Sequence, residues 1–270
     1  MIYFLRLFGH WWPFERGRMR FFLFMFSKPS RRNLLNDLPR LAEMRRGFKL
    51  VTRDNEFTSL WFRLYGCYEK RTIQAIAREL GPNATLLDVG ANLGIFSVDL
   101  ATNTNCSVIA FEPNPGTAAR LRESIKLNQV DHQIHLRENA VGDTTGKVSF
   151  LDNSENAGDS ALLQEGNQHK AGSIITVDVV ALDGDAALQE LISKLPPIKA
   201  VKMDVQGAEV SALRGMKNLL AKYRPLLVIE VCEDSLAEFS SSKDALFSLL
   251  RDFGYRAGME CEGNVMFIPE

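Results

Sequence analysis

The four cysteines, Cys67, Cys106, Cys232 and Cys261, lie far apart and form no C-x-x-C pair. Neither a disulfide framework nor a zinc site organises such a chain, and a reducing cytoplasm is the simplest compartment. Also missing is any apolar run of the roughly 18 residues that a spanning helix needs. The apolar stretches near the N-terminus are broken by Arg6, His10, Pro13, Glu15 and Arg16, and none leads into a small-residue cleavage site, so no secretory signal is expected. Histidine is scarce: His132 and His135 stand beside Asp131 without a third ligand, which reads as a polar turn rather than a metal centre. Neither a G-x-S-x-G elbow nor a P-loop lysine pattern occurs, and no repeat of fixed period is visible.

What is present suffices for a full-sized core, since 270 residues at 46% hydrophobic can fold without staples. Charge is unevenly distributed. Residues 1–50 hold eleven Lys/Arg against three acids, a net of +8, which leaves -9 for the remainder. A body of that sign carries no basic surface, so nucleic acid is not an expected partner. The basic arm is rich in aromatics: Tyr3, Phe4, Phe8, Trp11, Trp12 and Phe14, then Phe21, Phe22, Phe24 and Phe26. Two readings stay open for residues 1–30. Either they lie peripherally on the inner membrane face, with aromatics at headgroup depth and arginines toward anionic lipid, or they form a helical arm packed on the catalytic domain or a second subunit of a homo-oligomer.

From about residue 84, short apolar runs alternate with segments of helical spacing, the pattern of βαβ units and a mainly parallel sheet. Strands are expected at 85–90, 107–112, 133–137, 198–205, 225–231 and 264–268. Helices are expected at 95–101, 115–128, 185–194, 208–222 and 241–253. The segments 147–151 and 174–180 read as a strand pair flanking a polar loop, 152–173. Upstream, 72–80 reads as a helix stopped by Gly81-Pro82. The division is thus an arm (1–50), a helical cap (51–83) and a catalytic domain (84–270).

A strand ending in Asp88-Val89 that runs through Gly90-Ala91-Asn92-Leu93-Gly94 into a helix puts a tight turn at the carboxyl edge of the sheet, where open α/β folds bind ligands. A dinucleotide fingerprint would need glycine where Asn92 stands, so a pyrophosphate is disfavoured. An NAD(P)-dependent oxidoreductase therefore remains only an alternative. Glu112 follows Gly90 by 22 residues, near the roughly 20 expected for an acid that takes ribose hydroxyls.

Six segments carry a resemblance: LLDVGANLGIFS (86–97), AFEPNP (110–115), ENAVGD (138–143), ALD (181–183), VKMDVQGAEVSALRG (201–215) and PLLVIEV (225–231). Together, and in this order, they resemble the FkbM-type class I S-adenosylmethionine-dependent methyltransferases. The resemblance implies a Rossmann-like α/β fold whose mainly parallel seven-stranded sheet is covered by helices on both faces, beside the N-terminal arm and cap. It implies S-adenosylmethionine as cofactor, with Asp88, Gly90, Ala91, Asn92 and Gly94 around its methionine part. Glu112 would meet the ribose, and Asn114 and Ala140 the ribose and adenine. Tyr68 and Glu69, in a segment resembling the one before the family's cap helix, would approach the cofactor; an aromatic core residue and a helix-capping acid are the plainer alternatives. The sequence departs from the family at Gln206, where a glutamate is common.

Methyl transfer asks the protein chiefly to align an acceptor and take its proton. Asp204, at a strand end, suits that role, or that of capping the helix near Gly207. Glu209, in that helix's first turn, and Glu230, ending the next strand, complete the candidate catalytic set. No second signal makes these carboxylates a metal site. The expected acceptor is a hydroxyl on a sugar, polyketide, lipid-linked or other small molecule. A different class of reading is a membrane-recruited module that keeps the fold without chemistry. Sedimentation with anionic liposomes separates the two readings of the arm: binding that disappears on deleting residues 1–30 establishes the membrane role, and absence of binding in the full chain removes it.

Overall fold

A computed structural model describes residues 40–54, 56–153, 161–163 and 172–270. The expected arm up to residue 39, with its membrane or subunit contacts, lies outside the described residues, as does most of the insertion between 152 and 173. Among the described residues no helix is long and apolar enough to cross a membrane.

The central sheet has seven strands. β3 (Thr85–Val89) lies in its middle, flanked by β4 (Ser107–Phe111) and then β5 (Ile134–Arg137) on one side, and by β10 (Ile198–Met203) and β11 (Leu226–Glu230) on the other. These five run parallel, and the edge is completed by β13 (Asn264–Pro269), antiparallel to β11, and β12 (Tyr255–Cys261). All five residues of β3 are buried, as a parallel strand covered on both faces requires. Its alternation sorts side chains between two cores: Leu86, with Val108 and Ala110 of β4, joins one, while Leu87 and Val89, with Ile109 and Phe111, join the other.

The first core is covered by α2 (Lys70–Glu79), α3 (Ile95–Thr104) and α4 (Pro115–Leu127). α3 is buried throughout from Ile95 to Ala101, Ser97 and Asp99 included, the mark of an interior helix. α4 starts where Asn114 accepts the N–H groups of Gly116 and Thr117, with Pro115 at a position that needs no donor. The second core is covered by α5 (Ala186–Lys194), α6 (Glu209–Arg214), α7 (Lys217–Tyr223) and α9 (Lys243–Asp252), the short α8 (Glu233–Glu238) adding Leu236.

Several elements were not foreseen. Leu41–Glu43 (β1) and Lys49–Val51 (β2) form a hairpin straddling the expected boundary at residue 50. Asn128 both accepts from Lys49 N–H and donates to its carbonyl, and Val51 N–H donates to Ser124, so the open edge of β2 is closed by α4. Arg46 reaches both oxygens of buried Asp99 on α3, at 2.7 and 2.8 Å. The cap holds a further helix, α1 (Phe57–Tyr65). Inside the expected loop, Ala161–Leu162 (β8) joins β6 (Ala140–Val141), β7 (Gly146–Asp152) and β9 (Ser173–Val180) in a separate four-stranded sheet, in which β7 and β9 pair antiparallel as expected.

The helix expected over 208–222 is two. It breaks at Gly215, where a Cβ would sit 1.8 Å from the Gly142 carbonyl oxygen, so the backbone can pass there only as glycine. α7 restarts beyond it, and its first N–H groups are met from afar: Asp183 accepts from Asn218 at 2.7 Å and Leu219 at 3.0 Å. The aspartate of the ALD motif is thus a helix cap. Asp183→Ala is expected to cost about 1 kcal/mol in urea denaturation, with Asn restoring part of the loss; an unchanged midpoint for Ala would contradict the capping role.

Candidate active site

Three strand ends are joined by backbone hydrogen bonds. Gly90 and Ala91 N–H both donate to the Phe111 carbonyl, at 3.0 and 2.8 Å, and Asp204 N–H donates to that of Val89 at 3.0 Å. Gly90 has φ +85°, and a Cβ there would stand 1.9 Å from the Asp204 carbonyl oxygen. Only glycine lets β3 and β10 deliver their loops this close together.

Glu112, 6% exposed, ties the loops that leave β3 and β4. One carboxyl oxygen accepts from Asn92 N–H and the other from Asn114 N–H, both at 2.9 Å. Each oxygen has a second lone pair, and Glu112 lines the cleft that opens here. Asn92 Oδ1 and Asn114 Nδ2, on residues lining the same cleft, are buried without a partner. An orphaned polar atom costs about 1–3 kcal/mol, so two at one cleft mark a place that a ligand or water completes.

Of the sequence candidates, Gly90, Asn92, Glu112, Asn114, Ala140 and Asp204 line this one cleft. Ala91 supports it through its bond to Phe111, and Gly94 caps α3 in a left-handed conformation. The Asp88 carboxyl lies beneath the turn, 1% exposed, and accepts from the Ser97 hydroxyl at 2.5 Å.

A second group continues from Asp204. Gln206 Nε2 donates to Asp204 Oδ1 at 2.7 Å and to Glu230 Oε2 at 2.8 Å. The Glu69 carboxyl accepts from Asn264 Nδ2 at 2.7 Å. Glu69 stands at the N-cap of α2 but makes no side-chain capping bond there. Asp204 is likewise not the cap of α6, whose N-cap residue is Ala208. Glu209 folds back on its own turn to accept from Gly207 N–H, and its other oxygen is buried without a partner; it is not among the cleft-lining residues.

Burial sets the electrostatics. It pushes Glu112 up to about 7 against the pull of the Asn114 and Asn92 N–H groups, and Asp88 up to about 6 against the Ser97 hydroxyl. Glu69 rises to about 7, with Lys202 pulling down. Glu230 is held well above the carboxylate range, first by burial and then by Asp204; burial also raises Tyr68 and Glu209.

The sequence reading missed Lys202, 2% exposed on β10 with its ammonium 5.1 Å from the centre of the Phe96 ring. A second lysine in the strand after the exposed Lys199, set between Val201 and Met203, was the available signal. It also missed the apolar wall that Phe150, Ala161 and Leu162 bring from the second sheet. Among the described residues, no three His, Cys, Asp or Glu side chains are grouped to hold a metal ion.

The hexuronic acid methyltransferase AglP of Haloferax volcanii is 26% identical over 160 residues, covering 59% of this chain and 61% of that protein. The 2-O-methyltransferase NoeI of Sinorhizobium fredii is 29% identical over 186 residues, 64% of this chain and 73% of that one. This chain thus spans less than two thirds of the length of AglP. Among solved structures, the FkbM methyltransferase of Methylobacillus flagellatus aligns at 14% identity and a TM-score of 0.46, over 98% of this chain and 57% of that one. Residues 88–257, well over half the chain, match the methyltransferase FkbM domain, and the chain belongs to that family.

Proposed function

We propose that the protein is an S-adenosylmethionine-dependent O-methyltransferase whose acceptor is a sugar hydroxyl. The observation that carries this reading is the convergence of the Gly90–Asn92 turn, Glu112 and Asp204 on one cleft. Two relatives bear names that specify a hexuronic acid and a 2-O position, which favours a sugar over the polyketides and lipid-linked molecules also considered.

The residues present suit the cofactor. Glu112 has lone pairs left for ribose hydroxyls, while Asn114 Nδ2 and Asn92 Oδ1 offer an unused donor and an unused acceptor. Val141, Phe150 and Leu162 supply an apolar wall for a base. The Asn92 side chain sits where a dinucleotide's pyrophosphate would need a bare glycine. Once bound, S-adenosylmethionine supplies a methyl group already activated by its sulfonium. What remains for the chain is to hold the acceptor in line, exclude water and receive the hydroxyl proton. Asp204, in the cleft wall, would receive it: as the acceptor oxygen takes the methyl group its O–H bond would break and the proton pass to a carboxylate oxygen of Asp204, while the carbon–sulfur bond breaks and its electron pair stays on the departing thioether.

The cofactor half of this reading makes a pH prediction of definite sign. Glu112 accepts ribose hydroxyls best when ionised, and burial places its titration at about 7. Affinity for S-adenosylhomocysteine should therefore be full above that point and weaken as pH falls through it, approaching tenfold per pH unit for one linked proton, about 1.4 kcal/mol each. Glu112→Gln should bind at least about tenfold more weakly at pH near 8 and lose the dependence. Wild-type protein that gives no heat with millimolar ligand in calorimetry refutes the methyltransferase reading.

The acceptor half is tested by Asp204→Asn. With labelled S-adenosylmethionine and hexuronic-acid glycans, the variant should bind cofactor yet transfer at least about 100-fold more slowly. Turnover equal to wild type would remove Asp204 from the chemistry.

A further inference from the structure

An amide nitrogen carries two hydrogens, and both of those on Gln206 are spent, one on Asp204 and one on Glu230. One nitrogen at 2.7 and 2.8 Å from their oxygens holds the two carboxyl groups side by side. Two carboxyls held this close repel when both are ionised, and a proton kept on one of them relieves that repulsion. We propose that Gln206 is a positioning residue that clamps Asp204 and Glu230 into a pair holding one proton, and that this pair is the acid–base device of the cleft. The proposal rests on the methyl-transfer reading for its use, not for its geometry.

The surroundings favour keeping that proton. Glu69 and Tyr68 add to the cluster from the segment before α2, and Asp88 on β3, Glu112 after β4 and Glu209 on α6 each feel the charge of Asp204. Against these carboxyls, Lys202 is the cation that pulls Glu230 down. Asn264, the nearest side chain from β13, brings no charge and is already committed to Glu69. With like charge on most sides, removing the last proton from the pair is opposed by the whole cluster.

The residue at 206 decides the proton count. Gln206 has φ +51° and is followed by Gly207 at +107°, a left-handed bend at the position that carries the amide. A glutamate there would put a third carboxyl where both neighbours need a donor, and the cluster would have to bind one more proton or a cation to settle. The amide supplies those hydrogens permanently. The pair can then work between one proton and two: Asp204, exposed to the cleft, takes up the acceptor's proton while Glu230 keeps the first.

Carboxyl-carbon NMR of the full chain, labelled at Asp and Glu, tests this without an acceptor. In wild type one carboxyl resonance should titrate at least two pH units above the usual glutamate value of about 4.3, and Glu230→Gln should remove it. Gln206→Met keeps the length but removes the donors, and Gln206→Glu adds a charge; each should raise the upper midpoint by about one pH unit or more. A Glu230 resonance titrating within about one unit of 4.3, or one that neither Gln206 variant moves, overturns the proposal. Wild type and Glu230→Gln alone can refute it even if both Gln206 variants misfold. Calorimetry of wild type with S-adenosylhomocysteine separates the two claims. Ligand binding with an ordinary Glu230 sinks the pair alone; an elevated Glu230 in protein that binds no ligand upholds the pair and sinks the transfer reading.

Discussion

The carboxylate of Glu112 is the interaction on which the cleft depends. It is buried, and it binds the backbone of the loop after β3 with one oxygen and that of the loop after β4 with the other. Removing it would orphan two amide donors at once, a larger loss than that of one contact to a ligand. The Phe111 carbonyl, taking both Gly90 and Ala91 N–H, repeats the link one residue earlier, and Asp204 N–H on the Val89 carbonyl extends it to β10. Three loops on separate strands are therefore tied together, and the cleft-lining residues Asn92, Glu112 and Asp204 are held in fixed relation. Such preorganisation spares binding the cost of ordering the loops.

Buried charge in the molecule falls into two kinds. Asp99 is answered by Arg46, which fastens the N-terminal hairpin to α3 and leaves nothing over. The carboxyls at the sheet's carboxyl edge are answered mainly by backbone N–H groups, by amides and by one another. Burial, only partly offset by these bonds, holds Asp88 at about 6 and Glu112 and Glu69 at about 7 instead of near 4.5 or below. A region kept this short of cations gains from any positive charge that enters it, and a sulfonium is such a charge.

Much of this was legible in the sequence, because the strands at the centre of the sheet are apolar on both faces and bounded by turns. Thr85–Val89, Ser107–Phe111 and Leu226–Glu230 fall within a residue or two of expectation. Elements that bury little escaped notice: only Tyr255 is buried in β12, so its strand carries no apolar period to read. The hairpin Leu41–Val51 was hidden by its basic residues, of which Arg46 turned out to be a structural partner rather than part of a surface field. The cleft residues whose role follows from strand ends, Gly90, Glu112 and Asp204, could be named from spacing. Those that depend on three-dimensional neighbours could not: that Asp183 caps a helix thirty-odd positions away, or that Gln206 reaches Glu230, has no local signature.

The cleft is also divided by origin. Its polar floor belongs to the central sheet and is constrained by every backbone bond that joins the strand ends. Its apolar wall comes from β7 and β8, which belong to the second sheet and make no strand pairing with the first. A residue such as Leu162 can change without disturbing Glu112 or Gly90, because nothing in the central sheet's register depends on it. The floor therefore fixes what chemistry is possible, and the wall is free to vary in shape. Differences in cleft shape among chains sharing this floor should accordingly concentrate at Phe150, Ala161 and Leu162, whose strands pair within the second sheet.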